Sequence, residues 1–222
     1  IKPWRLPYDK IKLFPPDGAL PSKAEQSAGV RLRLATTSTA IKLDFEPTEG
    51  GDPNLDKTAF DLTIASELVQ NQPCPDGCAS VTFTDLPTGD KTLDIWFPVF
   101  QVVKLKALYV EDDATCAAAE DFRPKWITYG SSISHCRRTN SPARTWPAIV
   151  ARKLDYNLTC LGYGGQCHMD TMVALMIRDM PADVITLKLG INVYGGNSLN
   201  FRAFTPQAIG FVKIIREKHP HI

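Results

Sequence analysis

The apolar residues of this chain change their spacing once, near Phe122, and that change limits what it can fold into. Before it they recur every second residue. Val30, Leu32 and Leu34 alternate with Arg31 and Arg33; Ile41, Leu43 and Phe45 with Lys42, Asp44 and Glu46; Phe60, Leu62 and Ile64 with Asp61 and Thr63. Val81–Thr84, Leu93–Phe97 and Val103–Lys106 repeat the pattern. One apolar and one wet face at period two predicts half-buried antiparallel strands. Turn signals at Glu49-Gly50-Gly51-Asp52-Pro53-Asn54, Pro75-Asp76-Gly77 and Pro87-Thr88-Gly89-Asp90 separate them. Short strands at this spacing predict an all-β sandwich or jelly roll.

Beyond Phe122 short apolar runs alternate with helical spacing. Trp126–Tyr129, Leu158–Leu161 and Asp183–Leu189 read as strands. Trp146, Ile149, Val150 and Leu154 share one helical face, as do Met169, Met172, Val173 and Met176. Thr205-Pro206 reads as a helix opening, followed by a stripe of Ile209, Val212 and Ile215. Strand and helix in alternation predict a parallel sheet with crossover helices. The acidic, Ala-rich link from Glu111 to Pro124 marks a boundary, with an all-β domain over 1–118 and an α/β domain over 119–222.

The composition narrows the function. A net charge of +1 gives no basic excess for nucleic acid. No apolar run is long enough to span a bilayer. The chain begins at Ile1 with no signal peptide. Cys74, Cys78, Cys116, Cys136, Cys160 and Cys167 include no pair of C-x-x-C motifs, so neither zinc nor another metal is expected. Cys74 and Cys78 flank a turn that a disulfide would close, but the set reads better as small hydrophobes in a reducing, cytoplasmic setting. Asn157-Leu158-Thr159 matches a glycosylation sequon inside a predicted strand, where a chance match is the better reading.

Ligands of open parallel sheets gather beyond the carboxyl ends of the strands. The first predicted strand is followed there by Gly130, Ser131 and Ser132. Gly162, Tyr163, Gly164, Gly165 and Gln166 follow the second, and Gly190, Ile191 and Asn192 the third. Each loop alone is an ordinary turn. Together they supply what acyl transfer needs: a hydroxyl nucleophile, a backbone N–H that glycine leaves accessible, and an uncharged side-chain donor for the developing oxyanion.

These blocks resemble the SGNH (GDSL) hydrolase family. "YGSSIS" is similar to its first block, with Ser132 at the nucleophile. "TWPAIVARKLDYNLTCLGYGGQ" is similar to the next helix and second block, with Gly165 at the oxyanion glycine. "LGIN" is similar to the third, with Asn192 at the oxyanion asparagine. The resemblance covers about Trp126 to Ile222. It implies a flavodoxin-like, three-layer α/β domain, present in part, and ester or acyl chemistry without a cofactor. Acyl-CoA is the donor to expect if the protein is a transferase. It also implies a small-molecule ester or thioester substrate, with water, a glycoside or a natural-product alcohol as acceptor. Some members carry a β-sandwich before the catalytic domain.

The sequence departs from the family in three places. Ser131 stands where the family name has Asp, and Val193 where the third block often has Asp. The Asp-x-x-His block that supplies the base is absent before His219-Pro220-His221-Ile222, which makes the chain read as C-terminally incomplete. His135 and His168 are the in-chain candidates for a base, although loop histidines are more often bonded to backbone. Arg137 and Arg138 follow the serine, where an anionic substrate group or plain solvent would meet them. The rival expectation is a carbohydrate- or ligand-binding protein with a base-less catalytic domain, with Trp4 and Trp96 as candidate stacking residues, although Trp96 in an alternating strand reads better as buried.

Overall fold

The structure, a computed structural model, describes residues 1–15, 19–48 and 58–222; the turn signal at 49–54 lies outside them. Two antiparallel sheets occupy the first half. One has the order β4-β3-β6-β1-β8, from Glu67–Pro73, Ala59–Ile64, Lys91–Trp96, Arg31–Thr36 and Cys116–Ala118. The other has the order β5-β2-β7, from Ser80–Phe83, Ile41–Phe45 and Leu105–Val110. The alternation works as expected on their facing sides. Ile41, Leu43 and Phe45 of β2 share one buried cluster with Phe60, Leu62, Leu93 and Ile95 of the larger sheet.

The opposite face of the larger sheet is polar but not wet. Asp61, Thr63, Asp94 and Trp96 are buried there. Trp96 shares a cluster with Trp126, Ala148 and Leu158 of the second half. Burial forces these polar groups to pair. Trp96 Nε1 donates to Thr63 Oγ1 at 3.1 Å, Arg33 Nη1 meets Asp94 Oδ2 at 2.9 Å, and Arg31 lies 3.4 Å from Asp121.

Parallel strands β9 (Lys125–Gly130), β10 (Asn157–Gly162) and β11 (Val184–Lys188) form a sheet of order β10-β9-β11. Helix α1 (Ala19–Glu25) precedes β1, and the helices between the parallel strands are α2 (Ser132–His135), α3 (Trp146–Lys153) and α4 (Thr171–Asp179). Met169 precedes α4, buried and at φ 61°, rather than lying on its face. After β11 come α5 (Ile191–Gly196) and α6 (Phe201–Arg216).

Helix α6 opens earlier than expected. Asn200 caps it by accepting from the Ala203 N–H at 3.0 Å, which puts Pro206 inside the helix. The proline removes one donor at an exposed position, where water can satisfy the carbonyl left over. The buried stripe is Phe211 with Ile215, while Ile209 and Val212 are exposed.

Ile1 exchanges backbone hydrogen bonds with Leu105 of β7, whereas side chains of the residues after it enter the α/β core. Leu6, Phe14, Leu20 and Ala24 join Ile127, Tyr129 and Leu161 in one cluster. Among the described residues strand β10 has no strand partner on its outer edge, and Arg5 and Arg31 bond to it there. Arg5 donates to the carbonyls of Cys160 (3.1 Å) and Gly162 (2.8 Å), and Arg31 to that of Leu158 (2.9 Å). Charged groups on an edge satisfy its carbonyls and block further strand pairing.

Candidate active site

Three strand ends lie in register. Gly130 of β9 is the partner of Gly162 on β10 and of Lys188 on β11. The loops carrying Ser132, Gly165 and Asn192 therefore leave the sheet at one edge. Glycine at 162 allows helix α2 to sit directly on this edge. A Cβ there would lie 2.3 Å from the His135 nitrogen and 2.4 Å from the Ser134 carbonyl carbon.

The two adjacent serines differ in environment. Ser131 is fully buried and caps α2, its Oγ accepting from the Ile133 N–H at 3.4 Å. Ser132 is exposed at the first position of α2. The second loop lies against it, since a Cβ on Gly164 would be 3.8 Å from the Ser132 Cβ. Gly165 has φ +76°, a conformation suited to glycine, and space around its α-carbon. Asn192 reaches the same loop: its Oδ1 accepts from the Cys167 N–H at 3.0 Å. An N–H can only donate, so this contact fixes the amide with its NH₂ directed elsewhere. Among the described residues, the N–H groups of Ser132 and Gly165 and the NH₂ of Asn192 have no acceptor. The fold thus brings all three predicted residues into one loop cluster.

The nearby histidines hold backbone. His135 is buried; its Nδ1 accepts from the Gly164 N–H at 3.1 Å and its Nε2 lies 3.4 Å from the Val99 carbonyl. Burial, reinforced by Arg5, pushes its pKa down to about 3, so it is neutral at pH 7. His168 spans Ser198 Oγ at 2.7 Å and the Gly165 carbonyl at 3.1 Å, which ties the Gly165 loop to the segment after α5. His219 faces the Ile177 carbonyl.

Trp96 is 1% exposed beneath Arg31 and is closed to a stacking ligand. Trp4 is partly buried against the α/β core. All six cysteines are free thiols. Among the described residues no acidic, His or Cys cluster is arranged to hold a metal, and no helix is long and apolar enough to cross a membrane.

Sequence reasoning missed two supporting residues. Asp61 on β3 is fully buried and accepts from Ser141 Oγ (2.5 Å) and the Ala143 N–H (2.8 Å). It thereby holds the loop between α2 and α3. Arg5 holds the carbonyl of Gly162, where β10 ends. Asp61 read as one polar member of an alternating strand, and Arg5 carried no local signal.

Residues 124–222 match the GDSL-like Lipase/Acylhydrolase family, and residues 1–106 match the N-terminal domain of SsfX3. Among solved structures, the salicylyl-acyltransferase SsfX3 from a tetracycline biosynthetic pathway is 34% identical, with a TM-score of 0.88 over 99% of this chain and 63% of that one. A protein from Bacteroides ovatus described as a GDSL-like lipase is 25% identical, with a TM-score of 0.79 over 98% and 65%. This chain therefore spans less than two thirds of either relative. A family two carbohydrate esterase from Clostridium thermocellum, in complex with cellohexaose, shares the fold at 13% identity, with a TM-score of 0.65 over 88% and 69%. No curated protein matches.

Proposed function

We propose that this chain, whose residues 124–222 match the GDSL-like Lipase/Acylhydrolase family, transfers an acyl group through Ser132. The hydroxyl oxygen attacks the carbonyl carbon of an ester or thioester and gives up its proton to a base other than His135 or His168. The tetrahedral oxyanion receives hydrogen bonds from the N–H groups of Ser132 and Gly165 and from the Asn192 amide. Collapse expels the alcohol or thiol, which takes up a proton, and leaves acyl-Ser132. Water or an acceptor alcohol then releases the acyl group.

The observation that carries this reading is the set of uncommitted donors around one exposed serine. The likeness to the salicylyl-acyltransferase SsfX3 supports a transferase as the specific form, and acyl-CoA is the donor proposed for it. The two antiparallel sheets over one shared core support reading the first half as a jelly-roll-like sandwich domain ending near residue 118. The free thiols support a reducing compartment.

Fluorophosphonate labelling followed by peptide mapping tests the nucleophile. The expected adduct is on Ser132, with p-nitrophenyl acetate turnover falling to background in Ser132→Ala. Turnover unchanged in that variant overturns the reading.

A further inference from the structure

Beside Ser132 the surface opens into a cavity of about 540 Å³. Its walls carry Arg137, Arg138 and Arg144 together with Thr139, Thr145 and Trp146, and among the described residues no carboxylate lines it. In a chain of net charge +1, the exposed guanidinium groups of Arg138 and Arg144 beside one exposed serine are a local concentration of positive charge. Several other arginines are engaged: Arg31 and Arg33 face Asp94, Arg123 faces Asp121 and Arg178 faces Asp179 and Glu217, while Arg5, Arg152 and Arg216 donate to backbone carbonyls. Arg138 and Arg144 are exposed and have no ion-pair partner among the described residues.

The backbone presenting this charge is fixed from the other half of the molecule. Buried Asp61 binds Ser141 and Ala143, which lie between Arg138 and Trp146. On the far wall the Trp146 indole donates to the Ile133 carbonyl at 2.8 Å, which holds the ring in place. On the near side Arg137 stacks on Phe100, 4.8 Å from the ring centroid. Like charges lining one cavity repel, and an anion between them relieves that repulsion. A guanidinium fork matches phosphate and carboxylate equally well.

We infer that this cavity is an anion subsite, and that the substrate acylating Ser132 carries a phosphate or carboxylate that Arg138 and Arg144 hold. The inference rests on the reading of Ser132 as nucleophile. The anion is a recognition handle: it fixes the ester or thioester at the serine and takes no part in bond making.

Calorimetry at low and high salt tests it, with coenzyme A as the phosphate-bearing ligand and succinate as the carboxylate. At least one binds, more weakly as salt rises. Arg138→Gln with Arg144→Gln weakens it about tenfold or more, since two charge-assisted contacts are lost. Lys12→Gln with Lys106→Gln, an equal loss of charge at remote exposed sites, leaves affinity unchanged. Binding of coenzyme A alone assigns the handle to phosphate, and binding of succinate alone to carboxylate. The bound anion also slows fluorophosphonate labelling of Ser132. No binding, equal loss in both double variants, or binding that leaves labelling unaffected overturns the inference. Failure of Ser132 to label in the ligand-free protein overturns the nucleophile reading instead, while calorimetry still reports on the anion site.

Discussion

The Oδ1 of Asn192 accepts from the Cys167 N–H at 3.0 Å, across the gap between the loops that follow β11 and β10. This contact makes the asparagine a donor of fixed direction. Asn192→Asp keeps the acceptor for Cys167 but replaces the NH₂ with an anionic oxygen. The expected result is a native unfolding curve with kcat for p-nitrophenyl acetate reduced by roughly 10²–10³-fold, the usual cost of losing one oxyanion donor.

Glycine at 162 is a packing requirement, and at 165 a conformational one. A Cβ at 162 would overlap the backbone of Ser134 and His135, which cannot move without displacing α2. Gly162→Ala is expected to cost about 3 kcal/mol, at the upper end of overpacking effects, read as a lower urea midpoint. Gly165→Ala meets no atom within 4 Å but is forced to φ +76°. Its expected cost is about 1–2 kcal/mol, with a larger relative loss of activity than of stability.

Burial depresses the folded-state pKa of His135 to about 3, against its ordinary value of 6.5. Between those values the unfolded chain binds a proton that the folded chain refuses. Stability from this group is therefore complete above about pH 6.5 and is lost as pH falls toward 3, with a slope of up to about 1.4 kcal/mol per pH unit. Urea midpoints measured across this range check it. His135→Gln, which can still accept from Gly164 and donate to Val99, is expected to flatten the slope.

Asp61→Ala leaves the Ser141 hydroxyl and the Ala143 N–H buried without their acceptor. Each such group costs roughly 1–3 kcal/mol. Besides a lower urea midpoint, faster amide exchange at Ala143 is expected, because the loop between α2 and α3 loses its anchor. Asp61→Asn, which retains one acceptor oxygen, is expected to fall between the two.

The sequence by itself determined which strand residues turn inward and which loops leave the parallel sheet at one edge. Period two placed β1, β2, β3, β5 and β6, because each alternation is written in adjacent residues. The parallel strands were legible for the same reason, and with them the loops bearing Ser132, Gly165 and Asn192. Strand β4 was not legible, since Glu67–Pro73 is mostly polar and half exposed, and neither was β8, a short exposed run of Cys116–Ala118. The start of α6 was misjudged because Thr205-Pro206 is a stronger local signal than the cap at Asn200. Only the tertiary structure decided what covers the polar side of the larger sheet. Alternation states that Arg31, Asp61 and Asp94 share a face; whether water or protein meets that face depends on residues far along the chain, such as Ser141 for Asp61, 80 positions on, and Leu158 for Arg31, 127 positions on. The same distance hid Asp61 as the anchor of the cavity loop and Arg5 as the cover of β10. A pattern read along the chain reports burial preference, whereas the partner satisfying a buried charge is chosen by packing between segments that share no local signal.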